Sequence, residues 1–417
     1  VKRFLAIALS MALVLMVLAG CSEPAKETDK GSTTPTTPAA PKVEVPGVTD
    51  TTVRIGGFAA QSGPVAPIGI SVRKGFEAYI KSVNDAGGVH GRKIEIVKVV
   101  DDEFTAAKGL AASKELVESD KVFALAPVLG TPGVQASVDY WVEKNIPVVY
   151  PMTGIEQTAH PAKKNVFAVQ PNNFDEARIL TQYAVKDLGK KKVAVLWQNS
   201  DMGKQGLKGV QEIIKSVGGE IVHDASHEAK AVDFATPVLN AKSKGAEAVI
   251  IYTTLAESVG IMKEMQKQGL TAVPLTSYVN ADPVNLPKLA GDASVGLITG
   301  GWVPVADPNS PDIKKFGEIY AKYNNNEAPN AYSTAGFIAA ELLVKGLQDA
   351  GKELTQEKFV NALEALKNWN GIMAKDISYG PGDRRGSTAF YLNKVQKNDK
   401  GEIVMLPINT QPYRLAK

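Results

Sequence analysis

Residues 52–75 read TVRIGGFAAQSGPVAPIGISVRKG, and this stretch decides the fold. Residues 53–60 are small and apolar enough for a buried strand. Gln61-Ser62-Gly63-Pro64 breaks the run, because Gly and Pro force a turn. A helix is expected from about Gly69, with Val72, Phe76, Tyr79 and Ile80 on one face. A strand that hands over to a helix through a small-residue loop places that loop at the carboxyl edge of an open sheet. That edge is where α/β folds bind ligands, so Ser62 is expected at the lip of a site.

Working outward, the same alternation of short apolar runs and amphipathic helices continues to about residue 303, the pattern of a mostly parallel sheet. The stretch 84–88 (NDAGG) stops the first helix, and strands are expected at 92–100, 122–128, 146–152 and 166–170. The pattern then restarts: helix 174–188, strand 192–198 (KVAVLWQ), loop 199–203 and a helix ending at Gly218-Gly219. Gly69 and Gly75 recur as Gly203 and Gly209, and Ile80-Lys81-Ser82-Val83 recurs as Ile214-Lys215-Ser216-Val217, all at one offset of 134 residues. This predicts an internal duplication, two similar α/β lobes. After Trp302 the chain turns more helical, then ends in strands expected at 372–379, 389–395 and 403–408.

Toward the amino terminus, Lys2-Arg3 precedes an apolar run, 4–18, that closes on Leu18-Ala19-Gly20-Cys21. The run is short for a membrane span and small residues precede the cysteine, so residues 1–21 read as a signal peptide. Its end resembles a bacterial lipobox, with Cys21 the lipidated residue; an ordinary secretory signal is the alternative. Cys21 is the only cysteine of the chain, so no disulfide or thiol chemistry is expected. Residues 22–50 (with GSTTPTTPAAPK) read as a disordered tether reaching roughly 30 Å.

Composition narrows the function classes. Without Lys2 and Arg3 the chain carries 45 basic against 44 acidic residues, a balance that argues against nucleic acid or polyanion partners. Four histidines and one cysteine leave little for metal or nucleophile chemistry. His223 and His227 lie in an expected strand, where their spacing is roughly 13 Å, too far for one metal. There is no Gly-x-Ser-x-Gly elbow, no phosphate loop and no Gly-x-Gly-x-x-Gly after a strand. Gly56-Gly57 reads as a packing feature, Asp101-Asp102-Glu103 as a solvated strand end, and Asp383-Arg384-Arg385 as a turn with exposed charge. No catalytic residue, metal or cofactor is expected.

The order of motifs carries a family likeness. Strand, Ser62-Gly63-Pro64, Gly69, helix, Asn84-Asp85-Ala86-Gly87-Gly88-Val89-His90-Gly91-Arg92 and Ile94-Glu95-Ile96 resemble the periplasmic binding proteins of the leucine/isoleucine/valine type. So do residues 193–203 (VAVLWQNSDMG) and 377–386 (ISYGPGDRRG). The resemblance implies a type I periplasmic binding protein fold: two Rossmann-like lobes with parallel-sheet cores, joined by three hinge strands and closing around a small ligand. Residues 51–171 with about 303–380 would form the first lobe, and 172–302 with about 381–417 the second. The implied partners are the ligand, an ABC permease with its ATPase subunits, and the membrane through the lipid anchor. The protein would be exported, lipid-anchored on the outer face of the cytoplasmic membrane or in the periplasm, and monomeric.

Carried over residue by residue, the likeness places Ser62, Leu129, Thr131, Met152, Thr153, Tyr252 and Tyr278 at the ligand. Thr131 falls where the family has a serine that holds the ligand carboxylate, and Met152-Thr153 on the second carboxylate loop. Hydroxyls and backbone N–H groups at helix amino termini suit that role. Helix capping is the competing reading for the two threonines, and core packing for the two tyrosines. The family's acidic residue for the ligand ammonium matches Tyr278 here, with Asp282 displaced and Glu257 placed to start a helix. A ligand with a carboxylate or amide and an apolar or aromatic body therefore fits the loops about as well as an amino acid. A ligand-sensing module for a membrane receptor is the alternative function, and an enzyme on a similar two-lobed fold the third.

Overall fold

The alternation from residue 52 onward builds two sheets on one plan. The computed structural model describes residues 44–303, 309–408 and 411–415. The expected signal peptide, Cys21 and residues 22–43 of the expected tether lie outside the described residues.

In chain order the first sheet and its helices are β1 (Thr52–Phe58), α1 (Ala66–Asp85), β2 (Lys93–Val100), α2 (Ala106–Lys114), β3 (Ala124–Leu129), α3 (Thr131–Glu143), β4 (Val148–Val149), β5 (Pro151–Met152) and β6 (Val166–Phe167). The second set runs α4 (Asn173–Gln182), β7 (Lys192–Gln198), α5 (Asp201–Ile213), β8 (Glu220–His227), α6 (Ala235–Ser243), β9 (Ala248–Tyr252), α7 (Leu255–Lys267), β10 (Val273–Thr276), α8 (Asn285–Ala290) and β11 (Ile298–Gly301). There follow α9 (Pro311–Tyr323), α10 (Ala331–Ala350), α11 (Gln356–Glu364), β12 (Ile377–Gly380), β13 (Asp383–Ser387), β14 (Tyr391–Lys397) and β15 (Ile403–Pro407).

The first sheet has the order β2-β1-β3-β4-β6, with β5 beside β3; the second has β15-β14-β11-β10-β9-β7-β8. The leading strand of each half lies between the next two, β1 between β2 and β3 and β7 between β8 and β9, all parallel. Both sheets are covered on both faces. Val193 and Val195 of β7 pack with α4 and α5, while Ala194 and Leu196 face the other way onto α6 and α7. Two-sided burial is why these strands read as continuous apolar runs.

The repeated glycines do the same job twice. A Cβ on Gly69 would lie 1.9 Å from the Ala60 carbonyl oxygen, and one on Gly203 would lie 2.0 Å from that of Gln198. Each lets the helix start press on the end of the strand before it. Gly75 likewise meets the Ser333 carbonyl on α10, at 1.9 Å, and Gly209 that of Phe174 on α4, at 2.4 Å. The glycine match that suggested a duplication thus marks equivalent helix contacts.

Three details differ from the sequence reading. The expected strand 146–152 is two, because Tyr150 takes φ 51 and kinks the chain between β4 and β5. Asp102 is no solvated strand end: it is fully buried beneath the start of α3, beside Gly133. Arg384 is not in an exposed turn. It sits on β13 with 1 % exposure, stacked 4.8 Å over Phe167, and donates to the carbonyls of Lys163, Lys164 and Gly380 and to Glu364. Strand alternation turns Arg384 inward while Asp383 and Arg385, pointing out, pair with each other at 2.6 Å.

Candidate ligand cleft

The carboxyl ends of the parallel strands of the two sheets meet where the chain passes between them. The first passage, after β6, carries Gln170; the second, after β11, carries Trp302; the third runs through β13. The passages bring the lobes within bonding distance. Gly154 of the first lobe accepts from the Asn173 N–H at 3.1 Å, and a Cβ there would lie 2.7 Å from the Tyr278 hydroxyl of the second. Lys208 on α5 pairs with Glu156 across the same gap at 3.6 Å.

Four side chains form a connected wall at this junction. The Tyr150 hydroxyl donates to Gln170 Oε1 at 2.9 Å, and Gln170 Nε2 donates to the Tyr278 hydroxyl at 2.6 Å. The Trp302 ring meets Tyr278 edge-on at 5.1 Å and Tyr150 at 6.5 Å. The chain of donors has a direction. Tyr278 accepts from Gln170, so its own O–H remains to donate. Trp302 Nε1–H is buried with no partner in the structure. Both ends of this wall offer donors, which calls for an acceptor.

The residues singled out in the sequence fall into four places. Thr131 and Thr153 come together, Oγ1 to Oγ1 at 2.8 Å. Gly130, at φ 113, is the residue before α3, and no side chain caps the helix. The capping role weighed for Thr131 is therefore not taken, and the first turn of α3 presents its N–H groups beside two hydroxyls. Leu129 and Met152 support this corner, half-buried and buried, as the paired ends of β3 and β5. Tyr278 stands on the facing lobe. Ser62 lies apart, exposed on the loop after β1 and beside the Asp101 carboxylate, which accepts from the Gln61 N–H at 2.8 Å. Tyr252 is fully buried inside the second lobe, its ring against Gly206 and its hydroxyl 2.8 Å from the Asn173 carbonyl. It does not reach the cleft surface.

Of the acidic side chains near the second lobe's loops, Glu257 and Glu176 are turned inward, while Asp282 is half-buried and lines a cavity. Glu257 closes a capping box with Thr254 at the start of α7. Burial pushes its carboxyl up, but donors from Thr253, Thr254, the Lys230 N–H and Gln198 outweigh that and hold it at about 2. Glu176 is fully buried and accepts from the Tyr278 N–H at 2.6 Å and Ser277 Oγ at 2.8 Å. Asp282 accepts from the N–H groups of Val284 and Asn285 at 2.9 and 2.7 Å.

Of two cavities, one is lined in part by Gln170 of the wall and the other by none of its members. The latter, of about 330 Å³, lies between the 282–285 loop and the α9 and α10 helices. The other, of about 450 Å³, lies between the first and third passages and is lined by Thr153, Gln170, Arg178, Arg385 and Arg414 among others. Its three arginines are paired, with Asp175 and Glu212, with Asp383, and with Asp376. Among the described residues no cluster of histidine, cysteine, aspartate and glutamate could hold a metal, and no helix is long and apolar enough to cross a membrane.

Tyr150, Gln170, Trp302 and Glu176 were not singled out in the sequence. Glu176 had a signal: it shares the apolar helical face of Ala177, Leu180 and Ala184.

Comparison with known proteins fits this architecture. Residues 52–401 match the family described as Periplasmic binding protein. A Leu/Ile/Val-binding protein homolog (homolog 3) of Brucella melitensis is 28 % identical over 301 residues, covering 72 % of this chain and 79 % of that one. An ABC transporter substrate-binding protein from Sphaerobacter thermophilus superposes with a TM-score of 0.77 at 20 % identity, covering 87 % of this chain and 99 % of the other. A solute-binding protein from R. palustris, solved with benzoate, superposes at 0.71 and 22 % identity, covering 88 % and 98 %. This chain belongs to the periplasmic binding protein family, with the type I fold, and is a binding protein rather than an enzyme.

Proposed function

We propose that this periplasmic binding protein is the extracytoplasmic substrate-binding component of an ABC importer. It is held to the membrane through lipidated Cys21, captures a small ligand by closure of its two lobes, and delivers it to the permease. The ligand bears a carboxylate or amide on an apolar or aromatic body, in the range from a branched-chain amino acid to an aromatic acid. Leu129, Thr131, Met152, Thr153 and Tyr278 surround it, with Tyr150, Gln170 and Trp302; Ser62 stands at the lip and Tyr252 acts from beneath.

The observation that carries this reading is the pair of hydroxyls, Thr131 and Thr153, 2.8 Å apart at the uncapped start of α3. Together with Tyr278 O–H and Trp302 Nε1–H, the cleft offers donors and needs an acceptor-rich group. Glu176 and Glu257 are engaged by their own lobe, so neither is free to pair with an ammonium. Amino-acid and benzoate ligands share the carboxylate, and the relative from Brucella melitensis is named for the first while that from R. palustris holds the second.

A thermal-shift screen of the full chain with isoleucine, leucine, valine, benzoate and benzamide tests it. A binder at a hundredfold excess over its Kd stabilises by about 2.7 kcal/mol. Thr131→Val should weaken the best binder at least tenfold, the value of a hydrogen bond to a charged group, about 1.5–3 kcal/mol, with little change in stability of the empty protein. A set of acids and amides that shifts nothing overturns the ligand class.

A further inference from the structure

The cavity of about 330 Å³ takes its walls from both lobes. Pro283 and Val284 come from the loop after β10, while Ile313 and Phe316 of α9, Ala331 of α10 and Met373 come from the first lobe. Phe316 and Met373, each 2 % exposed, are the deepest of these. The polar side chains along it are already bonded within their own lobes. Asn330 accepts from the N–H groups of Tyr332 and Ser333, both at 3.0 Å, and donates to Ser71 Oγ at 3.1 Å. Thr334 Oγ1 donates to the Asn330 carbonyl at 3.0 Å, and Asn285 Nδ2 to Asp282 Oδ2 at 3.2 Å. What remains is an apolar space with one carboxylate.

Among the described residues that line the cavity, Asp282 alone carries a charge. Its Oδ1 accepts from the Val284 and Asn285 N–H groups and its Oδ2 from Asn285 Nδ2. A carboxylate has about four lone-pair sites, so one place stays open to a further donor.

The cavity adjoins the cleft through Tyr278. The Tyr278 hydroxyl lies beside Gly154 at the threonine corner, and its backbone begins the turn that runs into Asp282. Tyr332, in the first turn of α10, stands within electrostatic reach of both. Burial and then the Asp282 charge raise the Tyr332 phenol; burial and Glu176, and after them Tyr332, raise that of Tyr278. Val284, 69 % exposed, and Tyr332, 38 % exposed, leave apolar surface in water on opposite lobes.

Size and charge define what fits. An apolar cavity of about 150 Å³ holds one benzene ring; this one is roughly twice as large, room for about ten carbon atoms. The acid end of a ligand is excluded, because a second carboxylate beside Asp282 would be repelled. The donors for that end are at the Thr131–Thr153 corner. The orientation follows: acid group at the corner, body past Tyr278, far end at Asp282.

We propose that this cavity holds the body of the ligand, and that the substrates are acids with an apolar body the size of two fused rings and a hydrogen-bond donor remote from the carboxylate. The inference rests on the carboxylate reading of the threonine corner given above. A body that fills a space walled by both lobes bridges them, and so favours the arrangement in which they meet. It also removes more apolar surface from water than the ring of benzoate or the side chain of isoleucine.

Calorimetric titration of the full chain with benzoate, 2-naphthoate and 6-hydroxy-2-naphthoate tests this. The naphthoate should bind at least tenfold tighter than benzoate, and the hydroxy acid about tenfold tighter again. Asp282→Asn should shrink the second step, since the bond to the hydroxyl loses its charge. Val284→Trp, at an exposed position of one lobe, and Ala331→Trp, at a helix start of the other, each fill the space. Either should cut the ratio of naphthoate to benzoate affinity at least tenfold. Equal affinities of the wild type for the two acids, or a ratio that survives both tryptophans, overturn the pocket. A hydroxy acid no tighter than its parent overturns the donor at the far end. If no acid binds, 2-naphthol separates the two readings. Its binding to the wild type, lost in both tryptophan variants, keeps the pocket while the carboxylate class falls; its failure to bind overturns both.

Discussion

Two buried glutamates, one from each lobe, have carboxyls that burial raises, and the two are held in opposite ways. Glu341 lies midway along α10 in the first lobe, 2 % exposed, and accepts from the backbone N–H groups of Ile372, Met373 (2.9 Å) and Ala374 (2.8 Å). Glu176, in the second, is bound by one backbone N–H and two hydroxyls. Burial pushes both carboxyls up to about 7, against the pull of these bonds. What separates them is what a proton could bond to. Around Glu341 the partners are N–H groups, donors only, so a proton there has no acceptor among them. Around Glu176 the hydroxyls donate or accept as required. The first glutamate is built to pin the 372–374 segment to α10; the second can change state without breaking its surroundings.

The largest effect should come from the same substitution made at both sites. Glu341→Gln turns an amide NH₂ toward backbone N–H groups, leaving donors unsatisfied in the core. That costs on the order of 3 kcal/mol. Glu176→Gln should cost within about 0.5 kcal/mol at pH 5, because its amide satisfies the same partners as the neutral acid. Urea unfolding of the two variants at pH 5 decides it; equal losses would erase the distinction between the sites.

Much of this protein was legible before any coordinates, and what was not has a common cause. The lobes follow from alternation, and the helix packing from Gly69, Gly75, Gly203 and Gly209, which act through backbone approach and so leave a mark at fixed spacing. The threonine corner was legible because a loop before a helix start is a local feature. The wall of Tyr150, Gln170, Tyr278 and Trp302 is not local: its members come from both lobes and the passages between them. Arg384 was misread because charge on both sides suggested solvent, whereas alternation in a strand sends neighbours to opposite faces. Glu176 could be seen on an apolar helix face, but the sequence could not say that a turn a hundred residues later would bond to it.

The next effect is a slope. A carboxyl raised from 4.5 in the unfolded chain to about 7 in the folded one binds more protons folded than unfolded between those values. Its contribution is therefore full below about pH 4.5 and is lost as pH rises through 7. For Glu176 the loss between pH 5 and pH 8 amounts to roughly 2.5 kcal/mol. Glu341 contributes a slope of the same sign, so the wild type alone does not separate them. The difference between wild type and Glu176→Gln does: the variant should gain on the wild type steadily from pH 5 and be the more stable protein at pH 8. A difference that does not vary with pH would place the titration at Glu341 rather than at Glu176.

The smallest effect tests the hydroxyl that makes Glu176 different. Tyr252→Phe keeps the ring that fills the space against Gly206 and removes only the oxygen between Glu176 and Asn173. At pH 5 the neutral acid loses its acceptor, a cost of about 1 kcal/mol for an uncharged pair. At pH 8 the carboxylate loses a donor, which costs more because bonds to charged groups are stronger, about 1.5–3 kcal/mol. Since the Tyr252 bond holds the Glu176 carboxyl down, its removal must shift the midpoint of the pH profile above 7. Unfolding curves for Tyr252→Phe across pH 5 to 9 measure both the cost and the shift. No hydroxyl stands among the backbone partners of Glu341, so its part of the slope should stay in place. A midpoint that moves down, or does not move, would mean that Tyr252 holds Asn173 alone and that the proton on Glu176 has another acceptor.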